Sequence, residues 1–366
     1  MKRETDLYQK LITDENLRRA ILEVNKTHRW NPRHRPNKTV ARIEKDVDGY
    51  VAALRRIIDK GFVPHPPAIK RRYDKSAMKW RDISEPRLWP DQYVHHALVQ
   101  VLEPVMMRGM DRFCCGSIKG RGIHYGMKAI KKWMKEDTKG TKYCLELDIH
   151  HFYDSLTQET VMNRMRCLVK DWRVLDLCER VIRDGVLIGA YCSQWFANTT
   201  LQPLDQFIRQ HDCVKHYVRN IDNFTIFGSN KRKLHKLLRD IEAWLNDHDL
   251  QVKDNWQVFP TRSRMPNALG YRYGHGYTLL RKRNELRLKR QISRSTYKRK
   301  HHKRIPPRFA AGLLSRLGQL RHCNSTTFYR IYVPYRLQTT LKNVIRQQSR
   351  KEQRRWNTVI STAPSA

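Results

Sequence analysis

The chain has 366 residues, of which 73 are Lys or Arg and 35 are Asp or Glu, giving a formal net charge of +38. With 40% hydrophobic and 10% aromatic residues it can bury a core, which excludes a histone-like tail or a generally disordered chain. Nothing approaches the roughly 18 apolar residues of a membrane span, and eight scattered cysteines without a CxxC pair exclude a disulfide scaffold and a zinc module, so a reducing cytosol is expected.

A charge this large repels itself in a lone fold, so a polyanionic partner is expected first. In chain order, helical spacing covers Leu7–Asn25 and Val40–Lys60, which makes residues 1–60 an N-terminal helical region. The connector Pro64-His-Pro-Pro leads into a basic, β-like stretch, Ile69–Ile83. Asp91–Met107 follows a helical pattern, and Thr141–Leu147 reads as a buried strand ending on Asp148. Gln158–Arg183 is helical, as is Ser193–Gln210 after a glycine turn. Two strands, His216–Val218 and Phe224–Phe227, meet at Asn220-Ile-Asp-Asn; a helix at Lys231–His248 and a hairpin at Gly270–Leu280 follow.

The last segment is chemically distinct. Between Arg281 and Ala366, 23 Lys and Arg face only Glu285 and Glu352, so more than half of the net charge lies there. Phe309, Leu313, Leu314, Leu317 and Leu320 recur at helical intervals, predicting a basic helical domain over 281–358 and a disordered tail over 359–366. Strands and helices in this order predict an α+β fold on an antiparallel sheet, with 61–275 as its core. No GxGxxG follows a strand, which speaks against a dinucleotide fold.

Two strand-end carboxylates stand out in a chain that otherwise avoids acid: Leu145-Glu-Leu-Asp148 and Tyr217-Val-Arg-Asn-Ile-Asp222. Singly, each reads as a cap on the turn that follows. On neighbouring strands, Asp148 and Asp222 would converge and hold hard divalent cations. Nucleotidyl transfer uses such a pair, one ion activating a 3′-hydroxyl and the other neutralising the triphosphate and leaving pyrophosphate.

These segments resemble the reverse transcriptases over roughly residues 60–330. The resemblance implies a right-hand polymerase of fingers, palm and basic thumb that performs RNA-directed DNA synthesis with two Mg²⁺, or Mn²⁺, held by Asp148, Asp222 and the backbone of Ile149. Phe152-Tyr153 stands in the aromatic positions after the first carboxylate, with Tyr153 as the steric gate against a ribose 2′-hydroxyl. Lys79-Trp-Arg81 resembles the fingers motif that grips the incoming triphosphate, a task suited to a planar Arg fork. Gly116-Ser-Ile-Lys119-Gly-Arg121 combines close backbone approach with phosphate-binding groups. Lys253 stands as the proton donor to pyrophosphate. Gly270-Tyr271 resembles the primer-grip hairpin, Asn220 and Asn223 flank the second carboxylate at the primer end, and Lys298-Arg299-Lys300 are phosphate-binding candidates.

Most of the family carries Gln-Gly-x-x-x-Ser-Pro where this chain reads Ile188-Gly189-x-x-x-Ser193-Gln194. That form is similar to the reverse transcriptases of diversity-generating retroelements. It implies error-prone copying of an element-encoded template RNA into cDNA, a small basic accessory protein, and a bacterial or phage-encoded cytoplasmic protein with no membrane partner. The usual Tyr-x-Asp-Asp is Asn220-Ile221-Asp222-Asn223 here, which predicts weaker metal binding and a manganese preference. A phage-defence reverse transcriptase and an inactive RNA-binding scaffold are the rival readings.

Overall fold

Polar caps cut the N-terminal apolar periodicity into four helices: α1 (Leu7–Leu11), α2 (Asp14–His28), α3 (Lys38–Lys45) and α4 (Val47–Asp59). Thr13, Asn37 and Asp46 each accept a hydrogen bond from a first-turn amide, so each helical stretch expected from spacing is really a capped pair. The structure is a computed structural model that describes residues 3–31, 35–74 and 79–362, with the side chains of Asp74 and Lys79 outside that description. The basic stretch forms an antiparallel hairpin of β1 (Ala68–Asp74) and β2 (Lys79–Glu85), running in register from Ala68 opposite Glu85 to Tyr73 opposite Trp80. After a kinked segment at Leu88–Gln92, in which Trp89 is extended (φ −106°, ψ 128°), comes α5 (Tyr93–Met107), the most apolar helix, which packs on α1, α2 and α4.

A helix that the sequence reading did not anticipate, α6 (Ile123–Glu136), follows the glycine-rich segment and buries Met127, Ile130 and Met134. Then come β3 (Tyr143–Asp148), α7 (Phe152–Ser155), α8 (Gln158–Leu168), α9 (Trp172–Val181), α10 (Tyr191–Thr200), α11 (Gln202–Gln210), β4 (His216–Asn220), β5 (Asn223–Gly228), α12 (Lys231–Asn246) and β6 (Gln257–Pro260). The four strands make one antiparallel sheet in the order β4-β5-β3-β6. Alternate residues serve opposite layers, as strand geometry requires. Leu145, Leu147, Tyr217, Phe224 and Ile226 join the main core, whereas Cys144, Val218, Phe227 and Phe259 join a second core. The α+β expectation holds.

The second core carries the rest of the chain: a small sheet of β7 (Asn267–Ala268), β8 (Tyr271–Gly274) and β9 (Tyr277–Leu280), then α13 (Lys282–Lys300), α14 (Pro307–Gln319), α15 (Thr326–Tyr332) and α16 (Leu337–Thr362). The tail expected at 359–366 is corrected in part, because α16 continues through Thr362; residues 363–366 lie outside the described residues. Packing explains the extension: Trp356 is buried against Val40 and Ala41 of α3, with Val359, Ile360, Trp30 and Leu88 around it. All eight thiols are free; Cys114, Cys115, Cys144, Cys178 and Cys192 are buried, Cys213 and Cys323 partly so, and Cys167 is exposed. Among the described residues, no helix is long and apolar enough to cross a membrane.

One buried group in α5 makes stability depend on pH. His95 is 3% exposed, and neither ring nitrogen has a hydrogen-bond partner. Burial, helped by the neighbouring His96, pushes its pKa down from 6.5 to about 4. A base whose folded pKa is depressed stabilises the fold fully above its unfolded value, and that contribution is lost as the pH falls from 6.5 toward 4. The expected loss from His95 between pH 7.5 and pH 5 is about 2 kcal/mol. Urea midpoints at the two pH values check this: the wild-type difference should shrink by that amount in His95→Leu.

Candidate active site

The sheet brings the two carboxylates together. Asp148 ends β3 directly opposite Asn223 of β5, and Asp222 occupies the two-residue turn that joins β4 to β5. The amide of Ile149 donates to the carbonyl of Asp222 at 3.1 Å, which locks the end of β3 onto that turn. Asp148 and Asp222 are both half-buried. Asn223 donates its side-chain amide to Asp222 Oδ1 at 2.9 Å. Lys253 is held by a backbone hydrogen bond to the carbonyl of Asp148 at 2.8 Å, and its Nζ stands 3.9 Å from Asp148 Oδ2. Tyr153, in α7, is half-buried, and burial first and the charge of Asp222 second push its phenol up to about 12. Two carboxylates and the Ile149 carbonyl form a hard oxygen donor set that fits divalent cations. Among the described residues, no group of three His, Cys, Asp or Glu could hold a metal, so further ligands must come from backbone, water or substrate.

A buried network that sequence reading missed holds the turn. Arg219 is fully buried, forks onto Asp205 of α11 at 2.7 and 2.6 Å, and donates to Asn198 Oδ1 at 3.0 Å and to the carbonyl of Ile221 at 2.9 Å. Tyr217 also donates to Asp205. Burial disfavours the charge of Arg219, yet the Asp205 carboxylate outweighs it and holds the guanidinium pKa well above its ordinary value. Ile221 itself sits at φ 59°, a region costly for a β-branched residue. Gly116 presses on it: a Cβ there would lie 2.4 Å from Ile221 Cγ1. The available signal was Arg219 itself, a charge at an inward position of an apolar strand.

The fingers-like hairpin meets the palm at Ile188-Gly189. Ser84 of β2 donates its amide to the Ile188 carbonyl at 2.8 Å, and Gly189 has φ 118°. Any Cβ at Gly189 would sit 2.4 Å from the Ser84 carbonyl oxygen. Arg81 shares a hairpin face with Ile83, which lies against Gly189, so strand alternation turns Arg81 toward this junction. Gly189→Ala should therefore cost about 1–3 kcal/mol, read as a lower denaturant midpoint. Gly318→Ala, in the last turn of α14 with nothing within 4 Å of the new Cβ, should be neutral or stabilising in the same measurement.

A cleft of about 1450 Å³ runs from Asp148 to the basic C-terminal helices. Asn220, Asn223, Gly270 and Tyr271 line it, with Lys128, Arg281, Arg283 and Arg321 among the cations on its walls. Other expected site residues lie elsewhere. Ser193 is buried in the first turn of α10 and Gln194 is half-buried. Lys119 is exposed, whereas Arg121 donates to the Asp111 carbonyl. The Tyr271 hydroxyl is engaged with the Gln319 carbonyl. Lys298, Arg299 and Lys300 end α13 outside the cleft lining; Lys298 and Arg299 donate to the carbonyls of Arg304 and Tyr335. Lys79 begins β2, but its side chain lies outside the described residues.

The profile of a family described as "Reverse transcriptase (RNA-dependent DNA polymerase)" matches residues 73–273. Protein YkfC of Escherichia coli (strain K12) is 23% identical over 189 residues, which cover 48% of this chain and 49% of that protein. The group II intron-encoded protein LtrA of Lactococcus lactis subsp. cremoris is 23% identical over 186 residues, 46% of this chain and 30% of that protein. The match thus spans half or less of these relatives. Among solved structures, telomerase from Candida tropicalis in complex with a fragment of telomeric RNA aligns at TM-score 0.49 and 13% identity, covering 85% of this chain and 62% of that one. Telomerase from Candida albicans aligns at TM-score 0.47 and 11% identity, covering 84% and 68%.

Proposed function

This chain belongs to the reverse transcriptase (RNA-dependent DNA polymerase) family, and from that premise we propose that it extends a DNA strand on an RNA template at the Asp148–Asp222 pair. The observation that carries this reading is the junction of β3 with the β4–β5 turn, where two half-buried carboxylates from distant parts of the chain become neighbours. Asp148, Asp222 and the Ile149 carbonyl are the groups that would hold divalent ions. When bound, such ions lower the pKa of a 3′-hydroxyl and offset charge on the triphosphate and departing pyrophosphate.

The chain's own residues supply the rest. Arg81, with Lys79, grips the triphosphate. Lys253, half-exposed beside Asp148, gives a proton to the departing pyrophosphate oxygen. Tyr153, its phenol kept neutral beside Asp222, narrows the space at the sugar and disfavours a 2′-hydroxyl. Cations on the walls of the cleft meet the phosphates of the template–product duplex.

The finer setting is a diversity-generating retroelement, in which the template is the element's own RNA and a small basic protein assists. The apolar Ile188, which replaces a polar side chain next to the nascent pair, supports error-prone copying. Primer extension tests the core of the reading. Purified protein on a primed RNA should incorporate labelled dNTP in Mg²⁺ or Mn²⁺, with more product per ion in Mn²⁺, and Asp148→Ala should not. No incorporation with either ion, or full incorporation by Asp148→Ala, refutes it.

A further inference from the structure

We infer that His124 and His322 form a phosphate site on the wall of the cleft, where a backbone phosphate of the bound nucleic acid is held together with a proton. The two residues come from distant segments. His124 lies in the first turn of α6, after Gly120-Arg-Gly-Ile, and His322 ends the short turn Leu320–His322 that follows α14. Their ring centroids are 3.8 Å apart, with the planes tilted by 30°. Lys131 of α6 fastens the contact by donating its Nζ to the His322 carbonyl at 3.3 Å. Both histidines line the cleft, and Lys128 and Arg321 line it as well.

The charges around the pair decide what it does. Lys128 and Lys131 act on it from α6 and Arg321 from its own turn, while Gly122 leaves the amino end of α6 without a side-chain cap. Each of these disfavours a proton on the rings. Glu285, whose charge acts on the adjoining Cys323, is engaged by Lys289 at 2.8 Å and Arg272 at 3.9 Å. Burial first, and then His124 and the three cations, hold the His322 pKa below its ordinary value of 6.5. Its ring is therefore neutral at physiological pH and can lie against His124, where two imidazolium ions would repel. The described acids that line the cleft are Glu146 and Asp148, both on β3, so an incoming phosphate is the counter-charge that this wall lacks. A phosphate offsets the neighbouring cations and accepts from an imidazolium N–H, so its arrival brings a proton with it. Lysines in place of the histidines would carry their charge permanently against three cations; imidazoles carry it only while the strand is present.

This inference rests on the polymerase reading, and the experiment separates the two. Binding of the full-length protein to a fluorescent primed RNA is measured in chelator, at constant ionic strength, from about pH 8 to about pH 6, where His95 stays neutral. A ligand that brings a proton with it binds more tightly as the pH falls. Wild-type affinity should rise about ten-fold across this range, and His124→Gln and His322→Gln should each cut the rise to about two-fold. His322→Lys, a cation throughout, should bind at the upper pH about as tightly as the wild type does at the lower, with a flat profile. A loss of affinity that is equal at every pH would mark the pair as packing alone and overturn the inference. So would an unchanged wild-type slope in both Gln variants, or a sloping profile in His322→Lys. Primer extension judges the polymerase reading by itself. Binding with the expected pH dependence but no incorporation refutes that reading and leaves the phosphate site standing. Incorporation with an affinity that ignores pH does the reverse, and no binding at any pH overturns both.

Discussion

Asp222→Ala should lower nucleotide addition by about 1000-fold or more, roughly 4 kcal/mol of transition-state stabilisation, while leaving the unfolding midpoint nearly unchanged. The fold does not need this carboxylate: its one described side-chain contact is the hydrogen bond from Asn223, and it lies in a turn held through its backbone. The reciprocal change is more diagnostic. Asn223 donates to Asp222, and an Asp in its place would set two carboxylates at hydrogen-bond distance. Asn223→Asp should therefore lower the thermal midpoint in chelator and raise it in millimolar Mg²⁺, because like charges repel until a dication joins them. Thermal scans with and without the ion read this independently of catalysis. A midpoint that ignores Mg²⁺ in both proteins would remove the metal site from the reading.

Arg219→Met should be the most destabilising single change near the site. The guanidinium and the Asp205 carboxylate are 0% and 1% exposed, so removing one strands the other in the core. Breaking such a pair costs about 3–5 kcal/mol, which corresponds to a fall of about 5 °C in midpoint for a chain of this length. Because the cost is the stranded charge, Arg219→Met with Asp205→Leu should be more stable than Arg219→Met alone. Activity should not recover in the double variant, since the Ile221 carbonyl still lacks its donor and the turn bearing Asp222 loses its anchor. Recovery of both stability and activity would show that the network serves the core only.

Much of this was legible before the fold was known. Alternation and strand-end acids located β3, β4 and β5, because a sheet with both faces buried leaves a clear apolar signature at Leu145, Leu147, Phe224 and Ile226. The helices were read too long, because Thr13, Asp46 and Asp171 interrupt spacing that remains apolar on either side. Arg219 was passed over because a buried charge is recognised only through its partner, and Asp205 lies on another element. The end of α16 read as tail because Trp356 and Val359 find their apolar neighbours some 300 residues upstream, at Val40 and Ala41.

The placement of the thiols has a practical use. Burial holds Cys115 and Cys192 at about 12 and raises Cys114, Cys144 and Cys178 as well, so at neutral pH these sulfurs stay protonated and shielded. Cys167, exposed on α8, is left as the preferred target for a maleimide dye. A fluorophore can thus be seated on the body of the wild-type protein without mutagenesis, ready to signal by energy transfer when a labelled strand arrives or departs.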